Sequence, residues 1–278
     1  MILEDIEGLD APSRRKDGPF TGFGALAARA FAESDVATVN LFARWVSWLA
    51  AFDDLRDDTG LGTSPVALSA MYKELLSTVD GQSRHPRFGP LWRATASRCG
   101  PAWRQRFRRD LLLHWHGSLH EAANRRSGRI PAPQEFVQLR RITNGAIVFL
   151  LFEPMLRIEV PPAVAESRPW RSLVQAANDV TAWCNDLASA YREERHNYVH
   201  VLTHHLRCSV AEAEAQVRQR IASRMADLHA AARVLPEEFE RQNLDRATSC
   251  ALSRVAVTYL GAPRGHLEWL HESPRYTA

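Results

Sequence analysis

Residues 36–57 read VATVNLFARWVSWLAAFDDLRD, an apolar helical pattern that ends in a cluster of aspartates. Apolar residues recur at intervals of three and four, which is the period of an amphipathic helix. The same spacing continues from Phe31 towards the C-terminus, and no sustained alternation of period two competes with it. The sequence therefore predicts an all-α protein.

Proline near the first turn marks five of the expected helix starts, where its missing N–H is harmless. The expected helices cover residues 36–57, 65–78, 101–125, 133–157, 169–194, 209–234, 236–262 and 264–271. No linker divides the chain, so we expect one helical-bundle domain over residues 1–278, in which residues 1–30 carry no clear pattern.

Composition excludes several classes of protein. Hydrophobic residues at 45% and charged residues at 24% are typical of a globular chain with a sizeable core. No apolar run approaches the roughly 18 residues of a membrane span, so we expect no stable membrane insertion. The four cysteines lack paired spacing and the start lacks a signal-peptide pattern, so we expect a cytoplasmic location. The arginine-rich residues 104–109 indicate a solvated helix face rather than a nucleic-acid site.

The aspartate cluster is electrostatically unfavourable where it stands. Asp53, Asp54, Asp57 and Asp58 fall at the end of the predicted helix, where carboxylates meet the negative end of the helix dipole and repel one another. A bound cation removes both penalties. The cluster is therefore a candidate metal site.

A second polar string, residues 185–193, reads NDLASAYRE. In a helix Asn185, Ser189 and Glu193 form one row of i, i+4 and i+8 positions. Asn and Ser are mediocre helix formers, so propensity does not explain this row. All the candidate ligand atoms in the two strings are oxygens, which favours Mg²⁺ over zinc.

Together the two strings resemble the metal motifs of the class I terpene synthases, D-D-x-x-D (or D-D-x-x-x-D) and N-[DE]-x-x-S-x-x-[KR]-E. The resemblance implies a helical bundle with a central apolar cavity, and a trinuclear Mg²⁺ cluster that binds a linear prenyl diphosphate. It assigns as metal ligands Asp53, Asp54, Asp57, Asp58, Asn185, Ser189 and Glu193.

Three further elements match the family's diphosphate-binding residues. Arg141, Asn144 and Gly145 have the spacing of its sensor arginine, linker and effector glycine, and the resemblance implies a helix break at the glycine. Arg140 competes with Arg141 for the sensor role, and only the spacing favours Arg141. Two more groups complete the assigned diphosphate-binding set, namely Arg192 and the pair Arg275 and Tyr276.

Bulky apolar residues precede both metal motifs, which predicts a pocket with a charged mouth and an aromatic body. We see no evident base among the apolar residues expected to line it. Two loose histidine groups, one around His116 and one around His200, lack a zinc pattern. The candidate lining residues are Trp45, Trp48, Phe52, Phe149, Phe152, Trp183 and Trp269.

The resemblance implies a Mg²⁺-dependent cyclase that ionises a prenyl diphosphate, closes rings in the carbocation and releases diphosphate. Farnesyl diphosphate is the favoured substrate and geranylgeranyl diphosphate the second. Two alternatives remain, a chain-elongating prenyl diphosphate synthase and a non-catalytic helical binding protein. The sequence leaves open the product, whether water or deprotonation ends the reaction, and whether the chain acts alone or as a homodimer.

Overall fold

The computed structural model describes residues 22–58, 60–191 and 196–273, without the side chains of residues 57, 58 and 60. All regular structure in this part of the chain is helical, which confirms the predicted fold class. The helices are α1 (Phe23–Ala30), α2 (Val36–Asp58), α3 (Pro65–Val79), α4 (Phe88–Ala96), α5 (Pro101–Ser127), α6 (Pro133–Thr143), α7 (Ala146–Leu150), α8 (Phe152–Leu156), α9 (Pro162–Ala165), α10 (Arg168–Ser189), α11 (Tyr198–Leu206), α12 (Val210–Arg233), α13 (Leu235–Arg241) and α14 (Arg246–Glu272). A 3₁₀ turn, Gly60–Thr63, connects α2 to α3.

Side-chain caps fix several of the helix starts. The Ser64 hydroxyl accepts from the backbone N–H of Ala67 at 3.3 Å ahead of α3, which then begins with proline. Ser209 and Glu212 form a reciprocal capping box at α12. These caps satisfy backbone donors that have no partner inside the helix.

The helix expected over residues 133–157 is broken twice. α6 ends at Thr143, and Asn144 is extended with ψ of 155°, so the backbone leaves the helical path before Gly145. α7 begins at Ala146, and a second junction at Leu151 separates it from α8. The break at the glycine is the one that the family resemblance implies.

Near the C-terminus, one helix is continuous where a boundary was expected. A boundary was expected at Pro263, but α14 runs through this residue without interruption. Proline removes one helical hydrogen bond, and α14 keeps its course because it packs along α10 and α1. The helix expected over residues 236–262 is divided at 242–245, and α14 begins at Arg246. Its N-cap is Asp245, whose carboxylate accepts from the backbone N–H of Thr248 at 2.8 Å.

The sequence pattern also missed the short helices α4 and α11. Each spans only 9 residues, too few for a sustained apolar period to stand out. The helix expected to reach residue 194 ends at Ser189.

α10 lies at the centre of the bundle and packs against α12, α14, α6 and α11. α2, the helix that carries the first metal motif, contacts α1, α4 and α8. The largest fully enclosed side chains are mostly aromatic, and Trp45, Trp103 and Tyr72 are among them. Among the described helices, none has both the length and the apolar character that crossing a membrane requires.

Candidate active site

A cavity of about 180 Å³ lies between α1, α2, α5, the α6–α7 break, α10 and α14. Most of its wall is apolar, and its polar groups come from α2, α5, the α6–α7 break, α10 and α14. Asp53 of α2 and Asn185 of α10 both line it, so the structure brings one residue of each predicted metal motif to the same cavity. A smaller space of about 80 Å³ adjoins it and shares Val148, Phe149 and His266.

Arg56 neutralises Asp53 from within the aspartate string. Its guanidinium donates to Asp53 Oδ1 at 2.6 Å and to Ser118 Oγ at 3.1 Å. Arg56 is buried, whereas 47% of the Asp53 side chain is exposed, so the carboxylate meets the cavity while its counter-ion lies behind it. Asp54 is half-buried next to it on α2. Residues 57 and 58 have no described side chains.

Arg140 provides the counter-charge at the second motif, as Arg56 does at the first. Its guanidinium donates to Asn185 Oδ1 at 3.2 Å and to the buried carboxylate of Asp186 at 2.7 Å. Asp186 also accepts from the backbone N–H of Tyr198 at 3.3 Å. The Ser189 hydroxyl donates to the carbonyl of Asn185 and is buried, and it does not line the cavity.

Arg141, the expected sensor, faces a different side of α6. Neighbouring helical residues differ by about 100° in direction, so Arg140 and Arg141 cannot both face Asn185. Arg141 binds Asp179 with two hydrogen bonds of 2.7 Å, and Arg224 shares the same carboxylate. Arg141 lines another cavity of about 150 Å³, which lies between α5, α6, α7 and α10. The sensor role of Arg141 stays a prediction, and the contact with Asn185 supports Arg140, the competing candidate.

The linker and effector residues both reach the cavity wall. Asn144 donates to Asn178 Oδ1 at 2.9 Å, and Asn178 donates to the carbonyl of Arg141 at 2.7 Å. These bonds hold the broken helix against α10. The carbonyl of Gly145 accepts from the N–H of Val148 at 2.7 Å.

Three of the seven aromatic candidates line the main cavity, namely Phe52, Phe149 and Trp269. Phe152 lines the adjoining space, and Trp48 stacks on Phe52 with ring centroids 5.1 Å apart.

The other two candidates have structural partners. Trp45 donates to Thr95 at 2.7 Å in the core, and Trp183 packs against Tyr198 beneath α11. Neither lines the main cavity or the adjoining space. Spacing identified the helices but not the face that each aromatic occupies.

A buried polar network supports the α2 side of the cavity. The Tyr72 hydroxyl lies 2.5 Å from His114 Nδ1 and 2.8 Å from Ser118 Oγ. Thr143 donates to Glu121 at 2.6 Å, and this carboxylate lies 3.7 Å from Arg56. Burial lowers the pKa of His114 to about 3, so its ring is neutral.

Burial alone would raise the pKa of Glu121, because it disfavours a charged carboxylate. Arg56, His196, Arg125 and the Thr143 hydroxyl outweigh that penalty and hold the pKa of Glu121 at about 2. Sequence reasoning missed this network, because its members are scattered over α2, α3, α5 and α6.

The donor set fits Mg²⁺ in its chemistry. Asp53 offers a partly exposed carboxylate and Asn185 an amide oxygen on the same cavity, and Mg²⁺ binds through few protein oxygens with water and phosphate as the remaining ligands. Within the described ranges, no group of three or more His, Cys, Asp or Glu residues could hold a metal. The predicted second motif instead relies on Asn and Ser oxygens in addition to Glu193. Arg192, Glu193, Arg275 and Tyr276 lie outside the described residues.

Sequence reasoning also missed residues of the cavity wall. Phe23 and Leu26 come from α1, in the N-terminal segment that showed no pattern. His114 and His266 line the wall as well, although nothing in their spacing indicated a pocket. Phe23 stacks on Trp269 with ring centroids 5.1 Å apart, so α1 closes one side of the cavity.

Comparison with known proteins gives one consistent result. Residues 44–227 match the family model for terpene synthase family 2, C-terminal metal binding. The chain is 31% identical to a (-)-delta-cadinene synthase of Streptomyces clavuligerus, over 91% of this chain and 80% of that protein. It is 30% identical to a (+)-T-muurolol synthase of Roseiflexus castenholzii, over 80% of this chain and 70% of that protein.

Solved structures give the same answer. The crystal structure of germacradien-4-ol synthase from Streptomyces citricolor superposes with a TM-score of 0.83 and 26% identity, over 97% of this chain and 90% of that one. The family model covers more than half of the 278 residues, and it includes both metal motifs. The chain therefore belongs to the class I terpene synthases of the bacterial type.

Proposed function

We propose that the enzyme uses Mg²⁺ to ionise farnesyl diphosphate, and that it cyclises the resulting cation to a terpene and releases diphosphate. The observation that carries this proposal is the polarity of the main cavity, which has Asp53 and Asn185 at one edge and an apolar aromatic body. A diphosphate with a long isoprenoid tail has the same polarity. The T-muurolol synthase of R. castenholzii is described as cyclising (2E,6E)-farnesyl diphosphate, which supports this chain length over geranylgeranyl diphosphate.

Mg²⁺ held at this site would supply positive charge to the diphosphate that leaves when the allylic C–O bond breaks. Asp53 and Asn185 would hold it, with Asp54, Asp57, Asp58, Ser189 and Glu193 as the remaining predicted ligands. Arg140 stands beside Asn185 with an arginine fork suited to phosphate oxygens. Arg141, Arg192, Arg275 and Tyr276 keep their predicted diphosphate-binding roles.

The apolar wall protects the cation after ionisation. Phe52, Phe149 and Trp269 present aromatic surface to the cavity, and a desolvated cation–π contact contributes about 2 kcal/mol. Asn144 keeps the helix break in place, so that Gly145 contributes backbone rather than side chain to the wall. These residues exclude water and orient the chain for ring closure.

The deciding experiment incubates purified protein with Mg²⁺ and geranyl, farnesyl or geranylgeranyl diphosphate, each in a separate reaction. Gas chromatography with mass detection identifies the products, and a phosphate-coupled assay measures diphosphate release. We expect cyclic products from farnesyl diphosphate. A longer prenyl diphosphate formed only with added isopentenyl diphosphate would instead indicate a chain-elongating synthase, and no turnover would indicate a binding protein.

Variants separate the metal site from general damage. Asp53→Ala and Asn185→Ala should nearly abolish product formation and leave the helical circular dichroism spectrum intact, because neither residue fills core volume. Asp80→Ala is the matched control, since the Asp80 side chain pairs near the surface with Arg108 at 2.7 Å, away from the cavity. Turnover at the wild-type rate in either of the first two variants would refute the shared metal site.

A further inference from the structure

His266 of α14 occupies a central position in the cavity wall. It lines both the main cavity and the adjoining space. Its ring lies 5.5 Å from that of Trp269, centroid to centroid. A group at this junction can contact a substrate chain that extends from the polar edge into the apolar body.

The Nε2 atom of His266 is shielded from solvent and makes no hydrogen bond to any described residue. Buried polar atoms in native proteins are nearly always paired, so such an atom needs an explanation. His114, the other described histidine on the wall, differs in this respect, because its Nδ1 lies 2.5 Å from the Tyr72 hydroxyl. Of the two described histidines on the wall, His266 is therefore the one whose buried Nε2 has no hydrogen-bond partner among the described residues.

The ring of His266 is uncharged at neutral pH. Burial, assisted by the positive charge of Arg140, lowers the pKa of His266 to about 4. A protonated ring would repel a carbocation, whereas a neutral one offers a lone pair. Burial thus keeps the imidazole in the form that can accept a proton.

We infer that Nε2 of His266 takes the proton whose loss ends the cyclisation, so that the enzyme releases an olefin. This inference rests on the proposed function. A C–H bond next to the cationic carbon breaks, and its electron pair forms the new C=C bond. The proton binds to the Nε2 lone pair and gives imidazolium, which passes it to diphosphate or to water when the product leaves.

Other acceptors on the wall are poorer. The Thr181 hydroxyl is a weak base and already donates to the carbonyl of Ala177 at 2.8 Å. The carbonyl of Gly145 already accepts a hydrogen bond from Val148. Asp53 is paired with Arg56 at the polar edge. Among these described wall groups, His266 therefore offers the unpaired nitrogen lone pair within the apolar body.

The test compares His266→Asn and His266→Phe with wild type and with His271→Asn, a change at an exposed position on the same helix. Substrate consumption and product profile are measured at matched conversion with farnesyl diphosphate. We expect both variants to keep consuming substrate, because ionisation occurs at the rim. The share of the main wild-type olefin should fall by about tenfold relative to products of earlier deprotonation or water capture. His271→Asn should keep the wild-type profile.

Chemical rescue separates a base from a merely space-filling ring. His266→Ala is incubated with imidazole or with pyrrole, which has a similar shape but no basic nitrogen. Imidazole should restore the wild-type olefin and pyrrole should not. Equal rescue by both compounds would overturn the inference, and so would an unchanged profile in the Asn variant, which carries the test if the Phe variant fails to fold.

The wild-type reaction distinguishes failure of the proposed function from failure of the inference about His266. A wild-type enzyme that consumes no prenyl diphosphate overturns the proposed function and this inference with it. A wild-type enzyme that forms only alcohols overturns the inference alone, because no proton then leaves carbon in the final step.

Discussion

Replacing Glu121 by Gln should destabilise the protein markedly, because Glu121 is the buried anion beneath the aspartate motif. Its carboxylate accepts from Thr143 at 2.6 Å and lies 3.7 Å from Arg56 and 3.9 Å from Arg125. Gln has nearly the same shape and can keep the bond from Thr143, but it carries no charge. The substitution therefore removes the electrostatic part of the contact and leaves the packing in place.

The pKa of Glu121 gives the magnitude. It stands at about 2, against 4.5 for an unperturbed glutamate, so the folded state prefers the charged form by about 3 kcal/mol. Since the folded-state pKa is lowered, this stabilisation is present above pH 4.5 and is lost as the pH falls towards 2. For 278 residues, an unfolding entropy of about 2.1 cal/mol/K per residue converts about 3 kcal/mol into a melting-temperature decrease of about 5 °C.

Thermal unfolding followed by circular dichroism, from pH 7 down to pH 3, measures both effects. Glu121→Gln should melt about 5 °C lower at pH 7 and should lose less stability than wild type on acidification. Glu214→Gln is the matched control, since Glu214 makes a surface pair with Arg218 that contributes less than about 1 kcal/mol. Equal effects of the two substitutions at pH 7 would refute the reasoning.

Three further predictions follow from the geometry. Phe149→Leu should change product ratios more than total substrate consumption, because a difference of about 1.4 kcal/mol between cyclisation channels changes a ratio tenfold. Trp183 lies off the cavity, so Trp183→Phe should leave the product ratios, measured by gas chromatography, unchanged. Gly117→Ala should cost about 1–3 kcal/mol in denaturant unfolding, because its Cβ would come within 2.7 Å of Thr143, whereas Gly261→Ala meets nothing within 4 Å and should be neutral or stabilising. Mg²⁺ with inorganic diphosphate should raise the wild-type melting temperature, because a ligand at a hundredfold excess over Kd stabilises the folded state by about 2.7 kcal/mol. An equal rise in Asp53→Ala would contradict metal binding at Asp53.

The sequence predicted the fold class because the apolar period is sustained over long helices, of which α10 spans 22 residues and α14 spans 27. It failed where helices are short or where proline does not interrupt a helix. Pro263 shows the second case, because packing along α10 outweighs the loss of one hydrogen bond. Local propensity fixes where helices form, but tertiary contacts decide where they end. The single-domain organisation stays a prediction.

For the site, motif spacing identified the helices better than the side chains. It predicted that Asp53 and Asn185 share one site, and both line the same cavity. It favoured Arg141 over Arg140, whereas in the structure Arg140 binds Asn185 and Arg141 binds Asp179. It gave no signal for Arg56, which stands inside the aspartate motif and looks like a surface residue of an exposed helix. Only the structure shows it buried against α5.

The arginines of the two motifs share a physical role. Arg56 lies behind Asp53, and Arg140 lies behind Asn185 and Asp186, so each oxygen-rich helix end carries its own counter-charge. Carboxylates gathered for a cation repel one another in its absence. Of these contacts, the Arg140–Asp186 pair is the buried one. Buried ion pairs contribute little net stability, since desolvation offsets the attraction, but removing a single partner costs about 3–5 kcal/mol. The paired arginines therefore fix the positions of the acids more than they strengthen the fold, and they hold the two motifs in place on the wall of one cavity.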